Sequence, residues 1–233
     1  NTTGFKKSKI EFQDLLYDTK KIQGAEAGDG QLTPGGIQLG HGSRPVSTSK
    51  VFTTGDLVQT DERLDVAIAG DGFFEVQLPG GIQGYTRDGS FKVSADGAIV
   101  TNEGYQVVNA IPNIGAEVSN IGIAKTGEYT MFDQQGNNIG AGQIQITRFI
   151  NPGGLQNIGG KIYQETPASG VPEQGNPGQN GFGGLAQGYL EMSNVKVVEE
   201  MVNLIKAQRA YEVNSKAIQA ADEMMQRSNQ IKR

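Results

Sequence analysis

LDVAIAGDGFFEVQL, residues 64–78, sets the fold class of this chain. Leu64, Val66 and Ile68 alternate with Asp65, Ala67 and Ala69, and Phe74, Val76 and Leu78 alternate with Glu75 and Gln77. A period of two puts successive side chains on opposite faces, which is the pattern of half-buried strands. Ile144 and Ile146 repeat it against Gln145 and Thr147. Turn signals fall between the apolar runs at Asp71-Gly72, Pro79-Gly80-Gly81, Asp88-Gly89, Asp96-Gly97, Gln135-Gly136-Asn137 and Pro152-Gly153-Gly154. Asp-Gly suits two-residue hairpins because both central residues of that turn take positive φ. Residues 64–160 are therefore predicted to form a central antiparallel β domain, and the chain to be mainly β.

From Tyr189 to Arg233 the composition changes, with no Gly and no Pro after a stretch rich in both. Loss of the two strongest helix breakers marks residues 189–233 as one long helix, with Ser193 or Asn194 as its N-cap and Glu199 and Glu200 in its early turns. Val195, Val198, Val202 and Ile205, continued by Ala217 and Met224 and widened by Tyr211, draw an apolar stripe. Such a stripe needs something to lie against, and a helix of this length outruns an ordinary domain, so the expected partner is another helix.

Composition removes several function classes. The 233 residues carry a formal charge of −5 with both signs interspersed, which argues against a nucleic-acid partner. Without cysteine and with His41 as the sole histidine, neither a cysteine-stapled fold nor a transition-metal site is expected. His41 lies in a Gly-rich stretch and lacks a nucleophile in a recognisable turn. Asp71, Asp88 and Asp96 sit beside Gly, where aspartate serves turns, and Arg87-Asp88-Gly89 reads as a hairpin turn with a flanking charge. Gly70-Asp71-Gly72 has neither the third Gly nor the following helix of a dinucleotide site. No catalytic residue, cofactor, metal or small-molecule substrate is expected.

Two connections flank the β domain. Residues 6–22 read as partly helical or extended, and residues 23–50, rich in Gly, Ser and Thr with Pro34 and Pro45, have the composition of a mobile linker. Ile37, Leu39, Val46, Val51 and Phe52 argue that this segment packs somewhere. A second connection rich in Gly and Pro occupies residues 161–188. Together they bracket the β domain, so the two chain ends are expected to meet on one side.

Three stretches together resemble the rod and hook proteins that form the axis of the bacterial flagellum. They are Asn1-Thr2-Thr3-Gly4-Phe5-Lys6; the Gly70-Asp71-Gly72-Phe73-Phe74 strand with Tyr85-Thr86-Arg87-Asp88-Gly89-Ser90-Phe91; and Gly188-Tyr189-Leu190-Glu191-Met192-Ser193-Asn194-Val195 with Gln208-Arg209-Ala210-Tyr211-Glu212. Within that family, Gly36-Ile37-Gln38-Leu39-Gly40-His41-Gly42-Ser43-Arg44-Pro45-Val46 resembles an extended segment of the distal rod members. The resemblance implies a β domain of the rod/hook type with a discontinuous, coiled-coil-like helical region completed by a helix preceding Asn1. It implies residues 1–63 as an N-terminal remnant plus a rod-stiffening segment through Ile37, Leu39, Arg44, Pro45 and Val46.

The implied function is that of a subunit of a hollow, rigid drive shaft that carries torque across the periplasm to the hook. Implied partners are further copies of the chain, proximal rod proteins, the hook protein, the peptidoglycan and outer-membrane bushing rings, and the flagellar export apparatus, which would export the chain without a cleaved signal peptide. A hook or proximal rod subunit is the alternative within the family. A cell-wall carbohydrate-binding β protein is the alternative outside it, disfavoured because no Trp is present to line a sugar cleft.

Overall fold

The structure, a computed structural model, describes residues 2–21 and 35–231. It divides into two units, Asn1–Ser193 and Asn194–Arg233. The first is antiparallel β in every pairing of its strands. Seven strands form its main sheet, in the order Gln156–Gly159, Ile162–Gln164, Gln83–Thr86, Phe74–Gln77, Gln106–Val108, Ile99–Val100 and Lys92–Val93. Asn120–Ile123, Glu128–Phe132 and Asn138–Gln143 make a three-stranded sheet.

The hairpin after the Phe-Phe strand turns at Pro79-Gly80-Gly81. Gly81 N donates to Leu78 O at 3.2 Å, with Pro79 second and Gly80 third at φ 84°, the arrangement of a type II turn. Asp88-Gly89, in contrast, is not a hairpin turn. Neither residue has positive φ; Gly89 O instead accepts from Val66 N at 3.1 Å, beside the Asp65 to Ser90 bridge. A Cβ at Gly89 would lie 1.8 Å from Val66 O, so glycine is required here for backbone approach. Gly89→Ala is expected to destabilise the β body by roughly 1–3 kcal/mol through overpacking, measured by urea unfolding; an unchanged midpoint would count against that approach.

Adjacent Phe73 and Phe74 point to opposite faces and anchor two cores. Phe74 meets Phe91 edge to face, centroids 5.0 Å apart, among Val66, Ile68, Val76, Ile99, Val107, Ile144 and Ile146. Phe73 packs with Tyr85, Phe149, Leu155 and Tyr163, and half-buried Phe52 closes that second cluster.

The β body extends beyond residues 64–160. Within the supposed return connection, Ile162–Gln164 joins the main sheet, Glu173–Gly175 pairs with Ile146–Arg148, and Gly184–Gln187 pairs with Val66–Ala69. Strands of three or four residues cut by Gly and Pro are too short to show a period. The first connection is also β. Ser8–Asp14 pairs with Ser43–Lys50, and Tyr17–Lys21 pairs with Ile37–Gly40, giving a two-stranded ribbon joined by Leu15 N donating to Gly42 O at 2.9 Å. Pro45 sits opposite Phe12 where the register shifts, a position that tolerates a missing N–H. For residues 6–22 the extended reading holds and the helical one does not, and the mobile-linker reading does not hold for the described part of residues 23–50; residues 22–34 lie outside the described residues.

Tyr189–Glu191 is a strand paired with Leu57–Gln59, and Met192 N continues that edge by donating to Asp56 O at 2.9 Å. The helix therefore starts late, spanning Val197–Ile231, 35 residues or about 52 Å at ~1.5 Å each. Its first bond runs from Glu200 N to Lys196 O at 3.1 Å, so Asn194 and Ser193 are not its cap and Val195 precedes it. Glu199 and Glu200 occupy the first turn as expected.

Candidate assembly site

The three motif stretches converge on one buried ion cluster. Lys6, which ends the N-terminal motif, places Nζ 2.6 Å from Glu191 Oε1; Arg87 places Nε 2.9 Å from Glu191 Oε2. All three side chains are buried. The remaining donors are satisfied as a desolvated cluster requires. Lys6 Nζ also donates to Thr53 O at 2.7 Å; Arg87 Nη1 donates to Gly70 O at 2.7 Å and Gly72 O at 2.6 Å; Gly55 N donates to Glu191 Oε1 at 2.8 Å.

Backbone geometry fixes each member. Gly70 (φ 125°) and Gly72 (φ 146°) adopt conformations that side chains rarely take, and this aims their carbonyls at Arg87. Gly4, at φ 66° and against the Asp88 backbone, lets its N–H reach Glu191 O at 2.8 Å. The two ends of the β body are thus tied to each other by main chain and by charge. Asp88 pairs with Lys161 and accepts from Ser90 Oγ at 2.9 Å, bracing the segment after Arg87.

Two cations share one carboxylate. Burial alone would raise the Glu191 carboxyl, but Arg87 and then Lys6 outweigh it and hold it below its ordinary value. Burial and repulsion from Arg87 push the Lys6 ammonium down, opposed by Glu191. Every ion of the cluster is spent on protein partners. Among the described residues no group of three or more His, Asp or Glu side chains has the arrangement to hold a metal.

Comparison with known proteins decides what this arrangement belongs to. A family model described as the flagellar hook protein FlgE/F/G D1 domain matches residues 67–131, and one described as the flagellar basal body rod FlgEFG protein C-terminal matches residues 186–231. Over 232 residues the chain is 47% identical to the flagellar basal-body rod protein FlgG of Buchnera aphidicola, covering 99% of this chain and 89% of that one. It is 47% identical over 235 residues to FlgG of Borreliella burgdorferi, covering all of this chain and 89% of the relative. FlgG of Bacillus subtilis is similar at 37% over 240 residues, with 100% and 89% covered. The chain belongs to the FlgG family of flagellar basal-body rod proteins.

Members of the FlgG family are structural, and this chain is a structural subunit of the basal-body rod. The hook, proximal-rod and carbohydrate-binding alternatives gain no support from these relatives. The D1 match contains Gly70, Gly72, Phe73, Phe74, Tyr85, Arg87, Asp88, Gly89 and Phe91, which the fold brings into the two cores and around the ion cluster. Arg87 is no flanking charge of a turn but 3% exposed at the cluster centre. The C-terminal match contains Glu191 and the helix.

Val198, Val202, Ile205, Tyr211, Ala217 and Met224 lie on the helix and are exposed within their unit, whereas Val195 is half-buried ahead of it. Ile37, Leu39, Arg44, Pro45 and Val46 lie exposed on the ribbon. Sequence reasoning missed the roles of Lys6 and Glu191. Both stood inside the quoted motifs; Glu191 is a lone anion in a largely apolar stretch, whereas Lys6 is followed by Lys7 and Lys9 and carried no such signal.

Proposed function

We propose that the chain builds the distal rod through two self-association surfaces, the helix stripe and the ribbon. The helix stripe carries the reading. Thirty-five residues without a break expose Val202, Leu204, Ile205, Tyr211, Val213, Ile218 and Met224, far more apolar surface on one helix than an isolated element would keep in water. Its natural cover is helices of the same kind from neighbouring copies, packed around a central channel. Repeated heterologous contacts that do not close generate the tube.

The ribbon supplies stiffness. Strand alternation puts Ile10 and Phe12 on one face and Lys9, Glu11 and Gln13 on the other. Phe12 is 68% exposed, and Tyr17 lies over Gly40, where a Cβ would come 3.1 Å from its ring. Laid on neighbouring subunits, this face adds contacts that a bendable hook-type subunit lacks. The tube then transmits torque across the periplasm from the proximal rod proteins to the hook protein, inside the peptidoglycan and outer-membrane bushing rings, after subunits arrive through the flagellar export apparatus.

Removing the ribbon tests this. Lys9 and Ser49 are register partners, so joining them through Asn-Gly closes a short hairpin without disturbing the base. The shortened chain is expected to keep the β body and to assemble into tubes whose persistence length in electron micrographs falls toward that of hooks. Tubes as straight as the parent would remove the ribbon from the mechanism.

A further inference from the structure

Ile150 is 89% exposed and Val171 77%, two β-branched apolar residues at one point on the β body. Asn151 N donates to Ser169 O at 3.2 Å, and a Cβ at Gly170 would come within 3.8 Å of Ile150 Cβ. The point is stiff. Asn151 Nδ2 donates to Ala168 O at 2.9 Å, Thr166 Oγ1 to Gly154 O at 2.7 Å, and fully buried Ser169 gives its hydroxyl to Thr166 O at 2.8 Å. β-branched side chains on a fixed backbone have little rotamer freedom to lose, so burial in a partner is opposed by little entropy.

The same body carries an apolar cleft. A cleft of about 290 Å³ has Leu64, Phe91, Val93, Ile114, Val118 and Ile121 as its apolar lining and shares no residue with the knob. Glu62, Arg63, Asp65 and Lys92 at the cleft provide two charges of each sign, and the knob is flanked by the Arg148 to Glu173 pair at 2.8 Å. Neither surface brings a net charge to be desolvated. The volume falls just under the ~300–1,000 Å³ of small-molecule sites and suits two aliphatic side chains better than a ligand.

We propose that the Ile150 and Val171 knob of one copy seats in the Leu64 to Ile121 cleft of the next. This rests on the rod reading and deepens it. Knob and cleft are different patches of one body, so their contact is heterologous and repeats from copy to copy, which is what an open helical shaft of identical subunits requires.

The chain has no cysteine, which makes a cross-linking test clean. Rods assembled from full-length subunits carrying Ile150→Cys with Val93→Cys are treated with a short bis-maleimide; Val93 is 42% exposed, so the thiol is accessible before assembly. The expected result is a ladder of covalent multimers from the double variant and monomer from either single one. Dimers from Ile150→Cys alone would mean that knob meets knob, and overturn the proposal, as would intact rods of the double variant that give no ladder. Micrographs of the same samples separate this from the rod reading, which fails only if the unsubstituted subunit forms no rods. Independently, Ile150→Asp lowers incorporation on the order of tenfold or more at unchanged thermal stability; undiminished incorporation overturns the contact.

Discussion

Glu191→Gln is expected to cost the β body about 3–5 kcal/mol, the largest loss from any single polar substitution in it. The amide keeps the shape but leaves Lys6 and Arg87 as two buried cations without a counter-charge, and an uncompensated buried charge costs that much. Urea unfolding followed by far-ultraviolet circular dichroism measures it. Lys9→Gln, which breaks the exposed pair of Lys9 and Glu11 at 3.5 Å, should change the midpoint by less than about 1 kcal/mol. A Glu191→Gln midpoint no lower than that of Lys9→Gln would show the cluster to be neutral.

Acid should act through the same residue. The Glu191 carboxyl titrates lower in the folded chain than in the unfolded one, so its stabilisation is full above the ordinary glutamate value near pH ~4.3. It is lost as pH falls through the depressed folded value. The parent should therefore lose stability below that pH more steeply than Glu191→Gln, and the two profiles should converge. Because the cluster joins both ends of the body, its loss should also release residues 2–6 and 189–191 together, read as simultaneous loss of hydrogen-exchange protection at Gly4 and Gly55.

Val202→Asp should abolish rod formation while the β body melts as before. Val202 is 44% exposed within its unit, so the substitution harms little until the stripe is covered; a carboxylate then buried without a partner costs several kcal/mol at every repeat of the contact. Ile205→Asp, one turn on, should do the same. Incorporation into basal bodies is the measurement, with motility as the outer readout. Normal swimming by either variant would mean that the stripe is not an assembly surface.

The helix and the central strands were legible because their signals are local. Alternation at Val66, Ile68, Phe74 and Val76 needs only the two-residue pleat, and absence of Gly and Pro needs only backbone propensity. The late start of the helix was not legible. Tyr189-Leu190-Glu191 is taken by Leu57–Gln59 as a strand partner, a long-range pairing that overrides local preference. The linker reading of the ribbon failed for a related reason: Ser43–Lys50 has no apolar alternation to show, and its strand character comes from register with Ser8–Asp14. Arg87 looked like a turn charge because Asp-Gly follows it, yet Gly89 serves close approach to Val66 instead.

By itself, then, the sequence determined the class of structure: an antiparallel β body and a long helix with a stripe to cover. The motif residues determined the family. Tertiary structure decided what those motifs do together. Lys6 and Glu191 lie 185 positions apart and meet only because Gly4 donates to the Glu191 carbonyl while Tyr189–Glu191 lies beside Leu57–Gln59. A charge can be read at a position, but its partner is fixed by strand register and burial, and those arise only when the whole sheet has closed.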